Sequence, residues 1–430
     1  MNTPLIYIAG KDPLSERGGG HSSYVRTHAR AACLAGFHPE ILCVGKTEDL
    51  RESDFGSVHR FESPLSFVPQ RRGIAYRSPM DPIHIPFLIE RAAKLLEHWS
   101  KTPLLHGFGS YGIAAVGIRD RLKLKERDSR CIVSVYTTIE HERTAKYRGC
   151  LWSEGITSKL TALLELWWTR LTMLQREKDM LERSDLLLVN YGSVEKLIKS
   201  ITESPGNIRR SSYSTESAFI RKPRAERTEL SRAGAEILES FRAREGPLLL
   251  SISRHDSRKG LDLFLKALAR LKSRSINFRA LLLGGGSLLR KHKQLASRLG
   301  LDESTVIAGF VENATELLER ADLFILPSIE EGSGSLSLIE ALEAGIAVVA
   351  SAVDGIPEDV EHGRSALLVK PNCHRSLAEA MERLIINPRE REEIAQGARD
   401  AFLKKFAPSL MVESLKKTYE ELLLRFPENP

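Results

Sequence analysis

Short apolar runs alternate with longer stretches of helical periodicity over most of the chain. The runs Leu5–Ala9, Leu248–Ile252 and Leu323–Leu326 are almost wholly apolar, which is typical of parallel strands buried on both faces. Each is followed by a Gly-containing turn and by a segment whose apolar residues recur every three or four positions, as in a helix packed on a sheet. This order of strand and helix predicts an α/β protein built on parallel sheets.

The alternation of strands and helices stops once, over residues 206–247, which are rich in Ser, Arg and Glu. A chain of 430 residues also exceeds the size at which a single hydrophobic core is usual. We therefore predict two Rossmann-like domains that face each other across a cleft. The N-terminal domain covers residues 1–205, the connection 206–247, the C-terminal domain 248–405 and a closing helical segment 406–430.

The most informative stretch begins at the predicted strand Leu323–Leu326. After Pro327 the chain passes through a Gly/Ser loop that contains Glu331 and enters an apolar-periodic helix that contains Glu340. A Gly/Ser loop at a helix start offers backbone N–H groups to an anion such as a phosphate. Carboxylates beside that anion are suited to accept hydrogen bonds from hydroxyl groups. Phosphate next to a polyol is the chemistry of a nucleotide sugar.

Composition and charge narrow the possible partners. An apolar content of 42% and a charged content of 28% are typical of soluble globular proteins, and a net charge of +7 favours an anionic partner. The five cysteines lack the paired spacing of a metal or redox motif, which favours a reducing, cytoplasmic setting. The N-terminus has no basic segment before its first apolar run, so we predict a first strand there and not a signal peptide.

Several segments of the second half together resemble the catalytic domain of retaining GT-B-fold glycosyltransferases. This group includes sucrose synthase, glycogen synthase and bacterial mannosyltransferases. The segments that carry the resemblance are Ser253-Arg254, Arg258–Asp262, Leu283–Gly286, Gly309-Phe310, Pro327–Glu340, Ala344-Gly345 and Asp354–Glu358. The resemblance implies a nucleotide-sugar donor, transfer of a hexose with retention of configuration, no required metal and no other cofactor. It also implies that the helix after Phe406 crosses back onto the first domain.

The resemblance assigns roles to individual residues. Arg254 and Lys259 would grip the donor diphosphate, and two cations at a strand-to-helix turn suit the charge that grows on a leaving phosphate. Glu331 would contact the transferred sugar and Glu340 the ribose of the nucleotide. Further donor-binding candidates are Gly284, Phe310, Gly332, Ser333, Gly334 and Ser335.

The acid loop departs from the family pattern. Eight residues separate Glu331 from Glu340, where the family has seven, and we predict that a Gly-containing bulge within 333–335 absorbs the extra residue. Glu340 has a second interpretation, because Ser337-x-x-Glu340 is also a capping-box pattern.

The first half offers weaker candidates. The run Gly18, Gly19 and Gly20 is predicted either to present N–H groups to the donor or simply to form a tight turn. His106 is predicted to end a strand and to lie on the acceptor side, and the resemblance makes His141 a candidate for contact with the transferred sugar. Both histidines have a structural alternative, because a lone histidine is more often part of a core.

One helix is predicted over about residues 158–182. Its apolar stripe contains Leu160, Leu164, Trp167, Leu171 and Leu174, with basic residues beside it. The favoured interpretation is a helix packed against the core. The alternative is a peripheral membrane face that serves a lipid-linked acceptor.

These observations predict a nucleotide-sugar-dependent glycosyltransferase acting on a glycan, a lipid-linked or a small-molecule acceptor. It would be cytoplasmic, and possible contact with the inner face of the membrane would be peripheral. The basic residues between 119 and 127 lack interleaved aromatics, so nucleic acid is not a predicted partner. Two alternatives are a phosphorylase or epimerase of the same build, and a non-catalytic homologue that binds a partner protein or a glycan.

Overall fold

The computed structural model describes residues 4–15, 19–65, 78–149, 156–220, 231–241 and 245–424. The chain divides into two compact units. The first consists of Met1–Thr144, Leu160–Phe219 and Pro408–Pro430, and the second of Ala145–Lys159 and Ile220–Ala407.

The first unit is built on an eight-stranded sheet with the order β3-β4-β2-β1-β5-β6-β7-β8. All neighbouring strands are parallel except the antiparallel pair β3 and β4. The strands are β1 Leu5–Ala9, β2 Pro39–Gly45, β3 Asp49–Ser53, β4 Gly56–Glu62, β5 Leu104–Phe108, β6 Arg130–Val135, β7 Leu186–Val189 and β8 Asn207–Arg210.

The second unit is built on a six-stranded parallel sheet with the order β11-β10-β9-β12-β13-β14. Its strands are β9 Leu248–Ile252, β10 Arg279–Leu283, β11 Thr305–Gly309, β12 Leu323–Leu326, β13 Ala347–Ser351 and β14 Leu367–Val369. The four residues of β12 are all buried, as expected for a strand whose faces are both covered by helices.

The α-helices connect these strands and cover the sheets. In chain order they are α1 Gly19–Leu34, α2 Asp81–Glu97, α3 Gly112–Lys123, α4 Ile139–Gly149, α5 Ile156–Thr172, α6 Leu174–Arg183, α7 Gly192–Ile201, α8 Glu216–Ile220, α9 Arg232–Glu239, α10 Leu261–Ser273, α11 Leu289–Arg298, α12 Leu336–Ala344, α13 Ile356–Asp359, α14 His374–Ile386, α15 Pro388–Lys405 and α16 Pro408–Leu423. Within the part of the chain that the structure describes, none of the helices has both the length and the apolar character that a bilayer crossing requires.

The predicted α/β class with two parallel-sheet domains is confirmed. The closing helix α16 belongs to the first unit, as the resemblance implied. Its Tyr419 hydroxyl is hydrogen-bonded to the Tyr7 hydroxyl of β1 at 2.7 Å, and both side chains are fully buried.

Two segments differ from the prediction. Residues 206–219, expected in the connection, lie in the first unit, because β8 extends its sheet. The sequence of β8, Asn-Ile-Arg-Arg, is polar and only partly buried, so no apolar run marks it as a strand. The single helix predicted over 158–182 is two helices, because the backbone of Met173, with φ −120° and ψ −27°, leaves the helical region between α5 and α6.

Candidate active site

The second sheet reverses its strand order between β9 and β12. From β9 the chain proceeds outward to β10 and β11, and then returns to place β12, β13 and β14 on the other side. In open α/β sheets, ligands bind in the crevice outside the carboxyl ends of the strands at such a reversal. The loop 253–260 follows β9 and the loop 327–335 follows β12, so both segments singled out from the sequence meet at this position.

Lys259 and Glu331 form an ion pair between these two loops. Lys259 Nζ donates a hydrogen bond to Glu331 Oε2 at 2.5 Å, and Ser328 Oγ donates to Glu331 Oε1 at 2.5 Å. Only 4% of the Glu331 side chain is exposed, against 17% for Lys259. A buried carboxylate needs a cation and hydrogen-bond donors beside it. Here Oε2 accepts from the ammonium group of Lys259, and Oε1 accepts from the hydroxyl group of Ser328.

The backbone of the acid loop is held from two sides. Ile329 N and Glu330 N donate to Arg258 O at 2.7 and 3.2 Å, on the β9 side. On the opposite side, Asp354 Oδ2 accepts hydrogen bonds from Glu331 N at 2.6 Å and from Gly332 N at 2.8 Å. These contacts fix the direction of the Glu331 side chain.

Gly260 allows the two loops to approach each other. Its φ is +61°, and a Cβ atom at this position would lie 2.1 Å from Pro327 O. A side chain would therefore push apart the segments that carry Lys259 and Glu331.

Other donor-binding candidates of the second unit lie along the same edge of the sheet, but not in the ion pair. Arg254 is 67% exposed, and its Nη2 lies 3.1 Å from Asp256 Oδ2. Gly284 follows β10 and donates through its N–H to Gly309 O at 2.7 Å. Phe310 follows β11 and is 71% exposed.

The start of α12 tests one of the two interpretations of Glu340, the capping box. The N-cap residue is Ser335, and it makes no side-chain capping hydrogen bond. Ser337 lies inside the helix, and its Oγ is 3.1 Å from Ser335 Oγ. The capping-box interpretation is therefore wrong: Glu340 is the fifth residue of the helix and is half-buried.

The acid loop turns earlier than predicted. The left-handed residue is Gly332, with φ +86°, and not a residue of the segment 333–335. Ser333 O accepts a hydrogen bond from Gly355 N at 2.8 Å, which ties the loop to the segment before α13. Ser333 and Gly334 are partly exposed and Ser335 is buried.

His106 does not have the predicted position. It is the third residue of β5, not the last of its strand, and it is fully buried. Its Nδ1 is hydrogen-bonded to the Tyr419 hydroxyl at 2.9 Å and its Nε2 to Ser134 Oγ at 2.8 Å. Burial lowers the pKa of His106 well below its usual value, so the ring is neutral. The assignment of His106 to the acceptor side is corrected to a core residue that connects β5 to α16.

The first sheet reverses its order between β1 and β5, and a polar group of side chains lies beside this position. His21 Nδ1 is hydrogen-bonded to the Tyr136 hydroxyl at 2.6 Å, and Gly10 N donates to His21 Nε2 at 3.3 Å. Burial, and secondly the charge of Lys11, lower the pKa of His21 to about 4.

His141 lies within α4, with its backbone N–H donating to Thr138 Oγ1 at 3.3 Å. The residue that directly follows β6 is Tyr136, and not a histidine.

The predicted glycine run belongs to the start of a helix. Gly19 and Gly20 are the first residues of α1, and Gly18 lies outside the described residues. Nothing in the sequence distinguishes His21, which follows the run, from a surface histidine.

Sequence reasoning also missed a buried carboxyl group, which contacts the residues that follow β5 in the first sheet. Asp81 accepts hydrogen bonds from Ser110 Oγ at 3.1 Å and from the Tyr111 hydroxyl at 3.4 Å. Burial raises the pKa of Asp81 to about 7, although the hydrogen bond from Ser110 opposes the shift.

The apolar stripe predicted to pack against the core is exposed. The exposed fractions are 50% for Leu160, 64% for Leu164, 61% for Trp167 and 67% for Leu171. The core-packing interpretation is wrong for this face, because α5 buries the opposite one. Leu174 is half-buried and begins α6.

The match to known proteins falls on the unit that holds the ion pair. Residues 236–401 match the family model described as glycosyl transferases group 1. A curated relative, the putative colanic acid biosynthesis glycosyltransferase WcaL of Salmonella typhimurium, is 31% identical over 209 residues, which are 43% of this chain and 51% of the relative. The chain spans about half the length of the first curated relatives that it matches.

Solved structures share the fold over nearly the whole chain. Sucrose-phosphate synthase from Thermosynechococcus elongatus has a TM-score of 0.75 at 20% identity and covers 99% of this chain and 100% of its own. HepE of Anabaena, in complex with UDP, has a TM-score of 0.67 at 14% identity and covers 97% and 100%. The GT-B fold expected from the resemblance is confirmed.

Within the matched segment, the strand reversal brings a cation and a buried carboxylate together on two fixed loops. The cation can neutralise phosphate and the carboxylate can accept hydrogen bonds from hydroxyl groups. Sequence reasoning missed three supports of this pair: Ser328, the backbone of Arg258, and the side chain of Asp354. Asp354 was part of a segment that carried the resemblance, but its contact with the acid loop is not local in sequence.

Proposed function

We propose that the chain is a glycosyltransferase that transfers a hexose-type sugar from a nucleoside diphosphate donor, with retention of configuration. The observation that carries the proposal is the Lys259–Glu331 ion pair at the strand reversal of the family-matched domain. The acceptor is a glycan, a lipid-linked or a small molecule. The donor binds mainly to the second domain and the acceptor to the first.

In this proposal the bound donor replaces the contact between Lys259 and Glu331 with its own contacts to each of them. Lys259 turns from Glu331 to the diphosphate, and Glu331 then accepts hydrogen bonds from hydroxyls of the transferred sugar. Arg254, whose side chain is 67% exposed and which lies in the same loop, is the proposed second cation for the phosphates. Glu340 binds the ribose hydroxyls.

Lys259 and Arg254 are proposed to balance the charge that grows on the departing nucleoside diphosphate, without a resident metal or cofactor. Fixed cations at such a position stabilise the transition state more than the ground state, because the charge is larger in the transition state. The segment 333–335, at the start of α12, adds backbone N–H groups and the positive end of a helix dipole.

The comparisons support a setting for the reaction. The name of WcaL places that relative in colanic acid biosynthesis, and HepE was solved with UDP. We propose cell-envelope polysaccharide synthesis in the cytoplasm as the pathway class, and UDP-sugars as the first donors to test.

The test is turnover of radiolabelled UDP-, GDP-, ADP- and dTDP-sugars, measured for the full chain and two variants. Lys259→Ala should lower kcat/KM by about a hundredfold or more, because it removes a cation from the developing charge. The matched control is Lys266→Ala, which removes an exposed lysine of α10 that pairs with Asp262. Donor binding without turnover would instead favour a non-catalytic homologue, and turnover that needs inorganic phosphate would favour a phosphorylase.

A further inference from the structure

Two buried histidines are hydrogen-bonded to each other in the second unit, one from the loop 253–260 and one from α11. His255 Nδ1 lies 2.8 Å from His292 Nδ1. His255 is fully buried and His292 is 4% exposed. Burial lowers the pKa of His255 to about 4 and also lowers the pKa of His292, so both rings are uncharged at neutral pH. We call these two residues the histidine pair.

The second ring nitrogen of His255 indicates which ring donates the hydrogen bond. Two neutral rings need one donor and one acceptor nitrogen, and His255 Nε2 is buried without a hydrogen-bond partner among the described residues. If His292 donated, this Nε2 would carry a buried, unpaired N–H group, and unpaired buried donors are rarer than unpaired buried acceptors. The donated hydrogen is therefore placed on His255 Nδ1, and Nε2 remains an unpaired acceptor.

The backbone of His255 joins the loop after β9 to the loop after β10. His255 N donates to Gly285 O at 2.9 Å, and His255 O accepts from Leu288 N at 2.9 Å. The two loops are closely packed, because a Cβ atom at Gly286 would lie 2.4 Å from His255 O. These backbone contacts do not need an imidazole. What the ring of His255 adds is a directional contact to α11.

Asp256, the next residue, connects the histidine pair to the cations of the site. Its Oδ1 accepts a hydrogen bond from Arg258 N at 3.1 Å and so caps the short helical turn that contains Lys259. Its Oδ2 lies 3.1 Å from Arg254 Nη2, and its carbonyl oxygen accepts from Lys259 N at 3.2 Å. A shift of the chain at His255 would therefore move both Arg254 and Lys259.

We propose that His292 is a positioning residue, which acts through His255 to fix the loop that presents Arg254 and Lys259 to a diphosphate. The inference rests on the proposed function, and neither histidine lies in a segment that carries the family resemblance. A hydrogen bond constrains direction as well as distance, whereas apolar packing loses uniqueness of position before it loses stability. The histidine pair thus holds the loop at one position against α11, although it leaves one buried nitrogen unpaired.

Replacing both rings by leucine separates positioning from simple packing. When both partners of a buried hydrogen bond are replaced by apolar groups of similar size, the stability of the fold changes little. The variant His255→Leu/His292→Leu should therefore keep the thermal midpoint of the wild type. It should nevertheless bind the donor about fivefold more weakly or worse, because the loop has lost its directional contact.

Asparagine and leucine at position 292 are matched substitutions of nearly the same shape. Asparagine keeps a polar atom close to the position of Nδ1 and can still accept from His255, whereas leucine cannot. His292→Asn should keep the donor affinity of the wild type, and His292→Leu should lower it by about fivefold or more.

The control is His84→Leu in α2 of the first unit. His84 is 3% exposed, and its Nε2 lies 3.0 Å from Ser63 Oγ. This variant also removes a buried, hydrogen-bonded imidazole, so it should lower the thermal midpoint. Because His84 is not part of the loop 253–260, the donor affinity should stay that of the wild type.

Donor binding is measured by calorimetry of the full chain with UDP-, GDP-, ADP- and dTDP-sugars, and amide hydrogen exchange of residues 253–260 is measured without donor. His292→Leu should speed the exchange of this loop, and His292→Asn should not. If the wild type binds none of the donors, the proposed function fails, and the exchange of the loop still decides the present inference.

The inference is overturned if His292→Leu leaves the exchange of residues 253–260, or the affinity for a bound donor, at the wild-type value. It is equally overturned if His292→Asn loses as much affinity as His292→Leu. A double leucine variant that loses as much thermal stability as His84→Leu would also overturn it, because the histidine pair would then be a packing element of the core.

Discussion

At the scale of single residues, the site depends on the contact between the loops after β9 and β12. Lys259 and Glu331 are 72 positions apart in the chain, and each is ordinary in its own segment. The resemblance could predict both residues, but neither their direct ion pair nor the support from Ser328 and Asp354. Those supports are hydrogen bonds between distant loops, and side-chain patterns along one loop carry no signal of them.

The close approach at Gly260 gives a prediction with an unusually well-matched control. Gly260 and Gly300 have nearly the same φ, +61° and +66°, but a Cβ at Gly260 would lie 2.1 Å from Pro327 O, whereas at Gly300 its nearest neighbour is Lys272 Nζ at 3.6 Å. Gly300→Ala should lower the free energy of unfolding by about 1 kcal/mol from backbone strain alone. Gly260→Ala should lower it by about 3 kcal/mol or more.

Urea denaturation of both variants checks this difference. Gly260→Ala should also weaken sugar-nucleotide binding, because the loops that carry Lys259 and Glu331 are forced apart. Equal stability losses in the two variants would show that the loops do not make the close contact described.

The buried Asp81 predicts a pH dependence of stability. Because its pKa in the folded chain is raised to about 7, its contribution to stability is present below the unfolded value near 4 and is lost as the pH rises toward 7. Replacing it by Asn removes this loss. Asp81→Asn should therefore gain stability relative to the wild type, on the order of 4 kcal/mol, between pH 4 and pH 7, with little further gain above.

Urea denaturation across that pH range measures the difference between the two proteins. A difference that stays constant from pH 4 to pH 8 would mean that the Asp81 carboxyl is ionised in the folded protein at an ordinary pKa.

At the scale of elements, apolar runs in the sequence predicted the inner strands well, whereas a strand with a polar sequence was not predicted. The bounds of β1, β9 and β12 match the predicted runs residue for residue, because strands covered on both faces must be apolar throughout. Edge strand β8 has no such requirement and was missed. The apolar pattern of α5 could not show which face of the helix is buried, because both faces carry apolar residues.

The helix α16 is predicted to depend on its buried tyrosine. Tyr419 is hydrogen-bonded to Tyr7 and to His106, and removal of its hydroxyl leaves these buried polar groups without that partner. Tyr419→Phe should lower the free energy of unfolding by about 2 kcal/mol. Lys417→Ala, an exposed change on the same helix, is the control and should stay within about 0.5 kcal/mol of the wild type. A Tyr419→Phe variant as stable as this control would contradict the assignment of these groups to the core.

At the scale of the whole molecule, the predicted residues that the structure brings together lie where the resemblance was dense. The family model covers residues 236–401, and the segments that carried the resemblance fall almost wholly in this range. In the first unit the resemblance was loose, and the candidates there were lone residues. His106 proved to be a core residue, while His21, Tyr136 and Asp81 gave no signal that separates them from structural side chains.

The central claim, that Lys259 and Glu331 form a sugar-nucleotide site, is tested most directly by calorimetric titration of the full chain with UDP-, GDP-, ADP- and dTDP-sugars. At least one donor should bind, and Lys259→Ala should weaken its binding by about tenfold or more, whereas Lys266→Ala should leave it unchanged. Absence of binding to all four donors, or equal affinity in Lys259→Ala and the wild type, would contradict the claim.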